Sequence, residues 1–443
     1  MSSGRSFTIK TLGCKANQYD SQLLREDLLR RGLVECGGEG GADVGIINTC
    51  TVTAHSDAKS RRVIRALQRH HPNARIVVTG CYAHTNRDEV CALPGVDAVF
   101  DNPSKETLAD RICGLLNIKP GVTRPPCSRI AFFSRHTRAF VKIQDGCNKS
   151  CSYCIVRIAR GRSRSRPLAE ILGEIEGLVA NGYREVVLTG IHIGGFGTDR
   201  GEDRLSELIE SLRGIKGLIR VRLSSIDPTE IDEGLIDAMR RSRQVCRHLH
   251  VPLQSGSEAI LRRMNRDYTR ESYLQTLSLL RKELPGISIT TDVMVGFPGE
   301  TEEDFQQSRD AVRMAEFSKV HVFPFSSRRG TPAERLPHHV SPRVIRERVA
   351  LLSADTNAAA LKSRERWRGH VVEVLVEKEF SPGNRVKLPG PLKGGGIAYE
   401  GFSSNYLRTL FFSNGERIGD LRNQIVPVRV KDFDERYLYG RQI

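Results

Sequence analysis

No apolar run in this sequence approaches the ~18–20 residues that a membrane-spanning helix needs, so no helical span is expected. The opening MSSGRSFTIK lacks the apolar core of a secretory signal, and no lipidation motif is visible, so a cytoplasmic chain without a membrane partner is expected. Acidic residues are in deficit. Against 68 Lys and Arg stand 52 Asp and Glu, a formal net charge of +16. Such an excess suits a polyanionic partner, nucleic acid before membrane, with a merely basic surface as the alternative. At 443 residues, 39% hydrophobic and 27% charged, the composition is that of a globular protein with core for two to four domains. Eleven cysteines in a reducing compartment argue for metal ligation rather than disulfides.

Three of those cysteines crowd into VKIQDGCNKSCSYCIVRIARGRSRSRP, residues 141–167. Cys147, Cys151 and Cys154 form CxxxCxxC, with Arg157, Arg160, Arg162, Arg164 and Arg166 directly after it. Three thiolates on one short loop suit three irons of a [4Fe–4S] cluster and leave the fourth iron open. A structural zinc would want a fourth protein ligand, and the loop offers no further Cys or His. A disulfide would leave one of the three unpaired. The arginine run reads either as a solvated charged face or as a clamp for substrate phosphates. Its density and position favour the clamp, formed by Arg160, Arg162, Arg164 and Arg166.

Before this loop, three apolar strand candidates each end in a cysteine: residues 7–12 before Cys14, 44–47 before Cys50, and 75–79 before Cys81. Helical patterns over 17–31 and 57–70 separate them, as in a parallel α/β sheet, whose strand ends share one edge. The three cysteines converge there as a second three-thiolate site, unless their placement is chance. Cys36, Cys91, Cys113, Cys127 and Cys246 lack such a context and read as small core or surface residues.

Pro120, Gly121, Pro125 and Pro126 mark an exposed connector. Beyond it, strand candidates at 185–188, 219–223, 249–251, 289–295 and 320–323 alternate with helical patterns such as 168–180 and 302–315. That order predicts a partial TIM-like barrel with its site at the carboxyl ends of the strands. His248, His250 and His321 lie in strand-end stretches, where cofactor or substrate contact, metal ligation and a core position all remain open. After a helical stretch over 343–364, short alternating segments at 371–379, 397–403, 406–412 and 424–433 predict a small antiparallel β-barrel. Tyr399, Phe402, Tyr406, Arg385, Lys387 and Arg408 are its candidate stacking and phosphate contacts to RNA, with half of the aromatics expected in the core and a protein-binding barrel as the alternative.

CxxxCxxC with Tyr153 before its last cysteine resembles the radical-SAM signature. TLGCKANQYDSQ (11–22), INTCTVT (47–53) and VTGCYA (78–83) resemble the N-terminal module of the radical-SAM methylthiotransferases. LTGIH (188–192), RLSSIDP (222–228), HLHVPLQSGS (248–257), MNRDYT (264–269), MVGFPGETEEDF (294–305) and HVFPFSSRRGTPA (321–333) continue the likeness, and the C-terminal segment resembles a TRAM domain. The resemblance implies an N-terminal module over 1–112, a linker over 113–133, a radical-SAM core over 134–365 and TRAM over 366–443. It implies two [4Fe–4S] clusters, on Cys14, Cys50 and Cys81 and on Cys147, Cys151 and Cys154. Asn17 and Ser21 would buttress the first of these, unless Asn17 simply caps the following helix. S-adenosylmethionine would contact Tyr153, Ser224, Ser225, Gly296 and Gly299, and an electron donor such as flavodoxin or ferredoxin is implied. The implied reaction adds a methylthio group to C2 of adenosine-37 in tRNA. Lys15-Ala16-Asn17 favours the branch acting on N6-threonylcarbamoyladenosine, because the isopentenyladenosine branch has a YGCQMN-like motif and the ribosomal-protein branch an SLGCxKN-like one. An RNA-binding iron–sulfur sensor without catalysis is the alternative of another class.

Overall fold

The computed structural model describes residues 5–36, 41–118, 128–134, 136–201, 204–380, 397–413 and 420–443. Its N-terminal sheet is wholly parallel, in the order β2 (Val34–Glu35), β1 (Ser6–Thr11), β3 (Val44–Thr49), β4 (Arg75–Gly80), β5 (Ala98–Val99). Every residue of β3 is buried, as a central strand covered on both faces requires. Helix α1 (Lys15–Arg30) packs Leu24 and Leu28 against Phe7, Val44 and Val77. Helix α2 (Ala54–His70) covers the sheet with Ile64 and Leu67, and the Thr53 side chain caps its first turn. A helix at Leu108–Leu115 carries Ile112, Cys113 and Leu116 into the same core as α1, so this unit runs past the expected boundary at 112. Ile130 and Phe133 belong to the next core, and the connector residues Pro120, Gly121, Pro125, Pro126 and Cys127 lie outside the described residues.

The central unit has two three-stranded parallel sheets: β6 (Ala139–Lys142), β9 (Glu185–Thr189) and β10 (Arg220–Leu223), then β11 (His248–His250), β12 (Ser288–Val295) and β13 (Lys319–Pro324). Single bridges between Val221 and Val245 and between Ser225 and His250 join them into an open six-stranded barrel. A short ribbon of β7 (Gln144–Asp145) and β8 (Arg164–Ser165) carries the CxxxCxxC loop at its top. Helix α1 lies against β6, and the buried Tyr19 hydroxyl donates to Glu174 at 2.9 Å, so the N-terminal module docks on the barrel.

The C-terminal unit is a closed barrel: β14 (Val371–Glu379), β15 (Ala398–Ser403), β16 (Arg408–Phe412), β18 (Leu438–Gln442) and β17 (Ile425–Phe433). The expected antiparallel pairing holds everywhere except between β16 and β18, which run parallel. Five strands force this, because directions cannot alternate around a closed ring of odd number. Arg222 on β10 is fully buried and bonds Glu185 Oε1 at 2.9 Å, Ser404 O at 3.0 Å and Ser403 O at 3.1 Å, seating this barrel on the central one.

Candidate active site

The register of the N-terminal sheet sets Thr11 beside Asn48 and Thr49 beside Gly80, so the loops bearing Cys14, Cys50 and Cys81 leave one edge together. Cys14, Cys81 and Cys147 each follow a glycine in the left-handed region, with φ of +98° at Gly13, +95° at Gly80 and +71° at Gly146. A Cβ on Gly13 would meet Cys50 Sγ at 2.9 Å, so the Cys14 and Cys50 loops touch. Asn17 Nδ2 clamps them further, donating to Leu12 O at 2.8 Å and Thr49 O at 2.9 Å, while Cys14 rather than Asn17 occupies the N-cap. The Ser21 hydroxyl accepts from Thr11 at 2.7 Å and from Asn48 at 3.0 Å. Burial raises the Cys50 thiol above its ordinary value, and the neighbouring Cys81 and Cys14 add to this. Cys50 and Cys81 are buried, whereas Cys14 is exposed.

The second triad is held by its own loop and by residues from across the barrel. Cys147 N donates to Gly161 O at 3.1 Å, Cys154 N to Cys151 O at 3.1 Å, and Ser152 N to Met264 O at 2.9 Å. Burial pushes the Cys154 thiol up to about 11, with Cys151 and Cys147 nearby. Arg266 directs Nη1 at Cys151 Sγ, 3.1 Å away, while Nη2 pairs with Asp227 at 2.6 Å. All-sulfur donor sets at both triads fit iron–sulfur clusters. Arg266 and Asp227 lie within quoted motifs, yet nothing local in the sequence signals their pairing across 39 residues. Cys113 and Cys246 are core residues, Cys36 is half-buried and Cys91 exposed.

The expectation of a phosphate clamp fails for two of its four arginines. Arg160 is buried between the two triads, with Nη1 on both Asp145 oxygens at 2.8 and 2.9 Å and Nη2 on Asn17 and Asp20. Burial alone would raise the Asp20 carboxyl, but Lys105, Lys142 and Arg160 around it hold it far below the usual range. Arg166 turns inward to Glu174 at 2.6 Å and the Tyr19 hydroxyl at 3.0 Å. Held on these internal partners, the two guanidinium groups are turned away from an RNA phosphate. Arg162 and Arg164, which stand between them in the chain, are exposed.

Between the three units lies a cavity of about 1050 Å³. Cys14 and Lys15 line it from the N-terminal module, Thr189, Ser224, Ser225, His250 and Asp292 from the central barrel, and Tyr406 and Arg408 from the C-terminal one. The Ser224 hydroxyl is buried here with no protein partner, which suits an arriving ligand. His250 Nδ1 lies 2.9 Å from Thr290 Oγ1 and Nε2 3.2 Å from Asp292, and His321 completes a set whose ligand atoms fall within 4.8 Å. His248 is buried, bonded to Thr290 and packed on Tyr406. Tyr153 packs beside Met264, Met294 and Phe297. Gly296 and Gly299 have φ of +78° and +81°, and Ile345 crowds any Cβ at Gly296, so turn geometry already accounts for both. Of the barrel aromatics, Tyr399 is core, whereas Phe402 and Tyr406 stack at 4.9 Å and face the cavity. Arg408 is 42% exposed and pairs with Glu400, and Arg385 and Lys387 lie outside the described residues.

The Radical SAM superfamily model matches residues 141–312, and that of uncharacterized protein family UPF0004 matches residues 6–101. The threonylcarbamoyladenosine tRNA methylthiotransferase MtaB of Bacillus subtilis is 38% identical over 441 residues, 97% of this chain and 94% of that protein. The tRNA-2-methylthio-N(6)-dimethylallyladenosine synthase of Acidothermus cellulolyticus is 38% identical over 384 residues, 84% of this chain and 77% of that protein. In fold, the chain is similar to the radical S-adenosylmethionine methyltransferase TsrM of Kitasatospora setae, with TM-score 0.54 and 16% identity over 73% of this chain and 75% of that one. Two cysteine triads, and 38% identity with a curated methylthiotransferase over nearly the full length, lead to one assignment: the chain belongs to the radical-SAM methylthiotransferase family.

Proposed function

We propose that the protein adds a methylthio group to C2 of N6-threonylcarbamoyladenosine-37 in tRNA. The observation that carries this reading is the three-walled cavity of about 1050 Å³, which has room for a modified base turned out of its loop. The threonylcarbamoyl branch is supported by the reach of the Bacillus subtilis relative, 97% of this chain against 84% for the dimethylallyl one.

In this reading Cys147, Cys151 and Cys154 hold one [4Fe–4S] cluster, and Cys14, Cys50 and Cys81 hold the other. When bound, the clusters and S-adenosylmethionine supply a 5′-deoxyadenosyl radical and the methylthio sulfur, for a C2–H that offers neither an acidic proton nor a leaving group. The chain's own residues bind and orient. Arg266 orients Cys151 through its Nη1 contact to the sulfur, and Tyr153, Ser224, Ser225 and the Gly296–Gly299 turn contact S-adenosylmethionine. The exposed Arg162, Arg164 and Arg408 receive tRNA phosphates. Buried Arg160 ties the two cysteine modules together, so their spacing is set by ion pairs rather than by the connector. A flavodoxin or ferredoxin type of donor supplies the electron, and the functional units follow the boundaries 1–112, 113–133, 134–365 and 366–443, with the first extended through Ile118.

The test is anaerobic. Protein reconstituted with iron and sulfide receives reductant, S-adenosylmethionine and tRNA bearing either threonylcarbamoyladenosine or isopentenyladenosine, and nucleosides are analysed by mass spectrometry. The methylthio product is expected from the first tRNA alone. Cys14→Ala should abolish it while S-adenosylmethionine is still cleaved. Product from the second tRNA alone would reassign the substrate.

A further inference from the structure

Lys15 is the first helical residue of α1, directly after Cys14, and its side chain lines the cavity. The other cations near this wall are each matched to a carboxylate. Lys105 and Lys142 pair with Asp20, Arg160 with Asp20 and Asp145, Arg138 with Glu377, and Arg222 with Glu185. Among the described residues no carboxylate pairs with the Lys15 ammonium, and Arg138 and Arg222 add like charge beside it. Its place in the first turn also sets it at the positive end of the α1 dipole, where a cation is disfavoured. A half-buried ammonium so placed gains most from an incoming anion.

Across the cavity stands Tyr406, delivered by the turn between β15 and β16. Its backbone is left-handed, φ +62°, a conformation that is strained for a non-glycine residue and persists only where packing imposes it. The packing is explicit: Phe402 stacks on the ring at 4.9 Å, His248 lies at 4.7 Å, and the Arg222 guanidinium sits 4.6 Å from its centroid. The Arg138 guanidinium sits 5.5 Å from the same centroid, and Lys15 lines the same cavity as the ring. The C-terminal barrel thus places a hydroxyl on the same cavity as the ammonium that neighbours Cys14.

We propose that Lys15 and Tyr406 form an anion subsite for the carboxylate of the threonylcarbamoyl group. The inference rests on threonylcarbamoyladenosine as substrate. Its chemistry suits the placement, because the outer ureido N–H closes a hydrogen-bonded ring onto adenine N1 and brings the carboxylate to the C2 side of the base. Holding that carboxylate beside Cys14 therefore orients C2 toward the N-terminal cysteines. A neutral N6 substituent finds no partner for Lys15 and is bound less well.

The test uses reconstituted holoenzyme and two anticodon stem-loops, one with threonylcarbamoyladenosine and one with the same nucleoside as its carboxamide. Equilibrium binding and methylthio product are measured for each. The wild type should prefer the acid by roughly ten- to a hundredfold, the range of one charged hydrogen-bonded contact. Lys15→Gln should erase most of that preference at unchanged iron content, and Tyr406→Phe should reduce it. Equal loss on both stem-loops, or loss of iron in Lys15→Gln with the preference intact in Tyr406→Phe, would mean that Lys15 serves the cluster and would overturn the subsite. Turnover by the wild type of isopentenyladenosine RNA alone would overturn the substrate reading instead, and this inference with it.

Discussion

Arg160 and Arg162 stand two positions apart and have opposite fates: Arg160 ends a short helix, Val156–Arg160, and is buried on Asp145 and Asp20, whereas Arg162 follows the left-handed Gly161 and is exposed. The inward Arg160 pairs with two carboxylates, so Arg160→Met leaves Asp145 with Lys142 alone and Asp20 with one cation fewer. Removing one partner of a buried pair costs about 3–5 kcal/mol, and a lower denaturation midpoint should report it. The salt dependence of tRNA binding should not change in that variant. Arg162→Ala should do the reverse: unchanged stability, and a slope of log affinity against log salt reduced by about one. Weaker tRNA binding by a fully stable Arg160→Met would sink the assignment of Arg160 as an internal clamp.

At the scale of the element, the CxxxCxxC loop depends on one backbone position. Gly146 has φ +71°, and a Cβ there would lie 2.0 Å from Arg162 O, a backbone atom that cannot yield alone. Gly146→Ala should therefore prevent the loop from closing and cut the iron bound on reconstitution by about half, since one of two triads is lost. Gly32 is the control. Its φ is +85° but nothing lies within 4 Å of an added Cβ, so Gly32→Ala should keep full iron and lose only the small cost of a left-handed alanine. Iron counts that match in the two variants would remove the steric argument.

The whole molecule is held together by buried charge as much as by apolar contact. Glu185 sits under the C-terminal barrel with Arg222, and with Arg220 at 3.7 Å. Burial by itself would raise this carboxyl, but Arg222 and Arg138 outweigh it and hold the group below its ordinary value. A depressed carboxylate contributes stability that is present above its unfolded value, about 4.3, and is lost as pH falls through the lower folded value. Acidification below about pH 4 should thus weaken the seat of the barrel. Fluorescence of Trp367, the single tryptophan, packed against the C-terminal core, follows that loss in denaturant titrations at pH 6 and pH 3.5. Glu185→Gln should be less stable at pH 6 and should lose less between the two pH values. An unchanged pH dependence in that variant would show that Glu185 does not couple the barrels.

Much of this arrangement was legible in the chain alone, for local reasons. Strands with period-two or wholly apolar patterns, helices with 3.6 periodicity and cysteines at fixed short spacing are all written within a few residues. Hence β14 spans 371–379 as expected, and both cysteine triads were nameable. The short β18 was not, because LYGRQ acquires its strand character only by pairing with β16 and β17. The glycine-cysteine dipeptides at 13–14, 80–81 and 146–147 were visible, but that each needs positive φ emerges only with the chain that crosses behind it. Which arginines turn inward depended on carboxylates up to 140 residues away, and Arg266 meets Cys151 across 115. The sequence by itself determined which residues carry sulfur, charge and strand-forming bulk, since these are properties of side chains and their near neighbours. The tertiary structure decided which charges are neutralised and which face the cavity, because burial and Coulomb energy depend on what lies alongside in space, not in sequence.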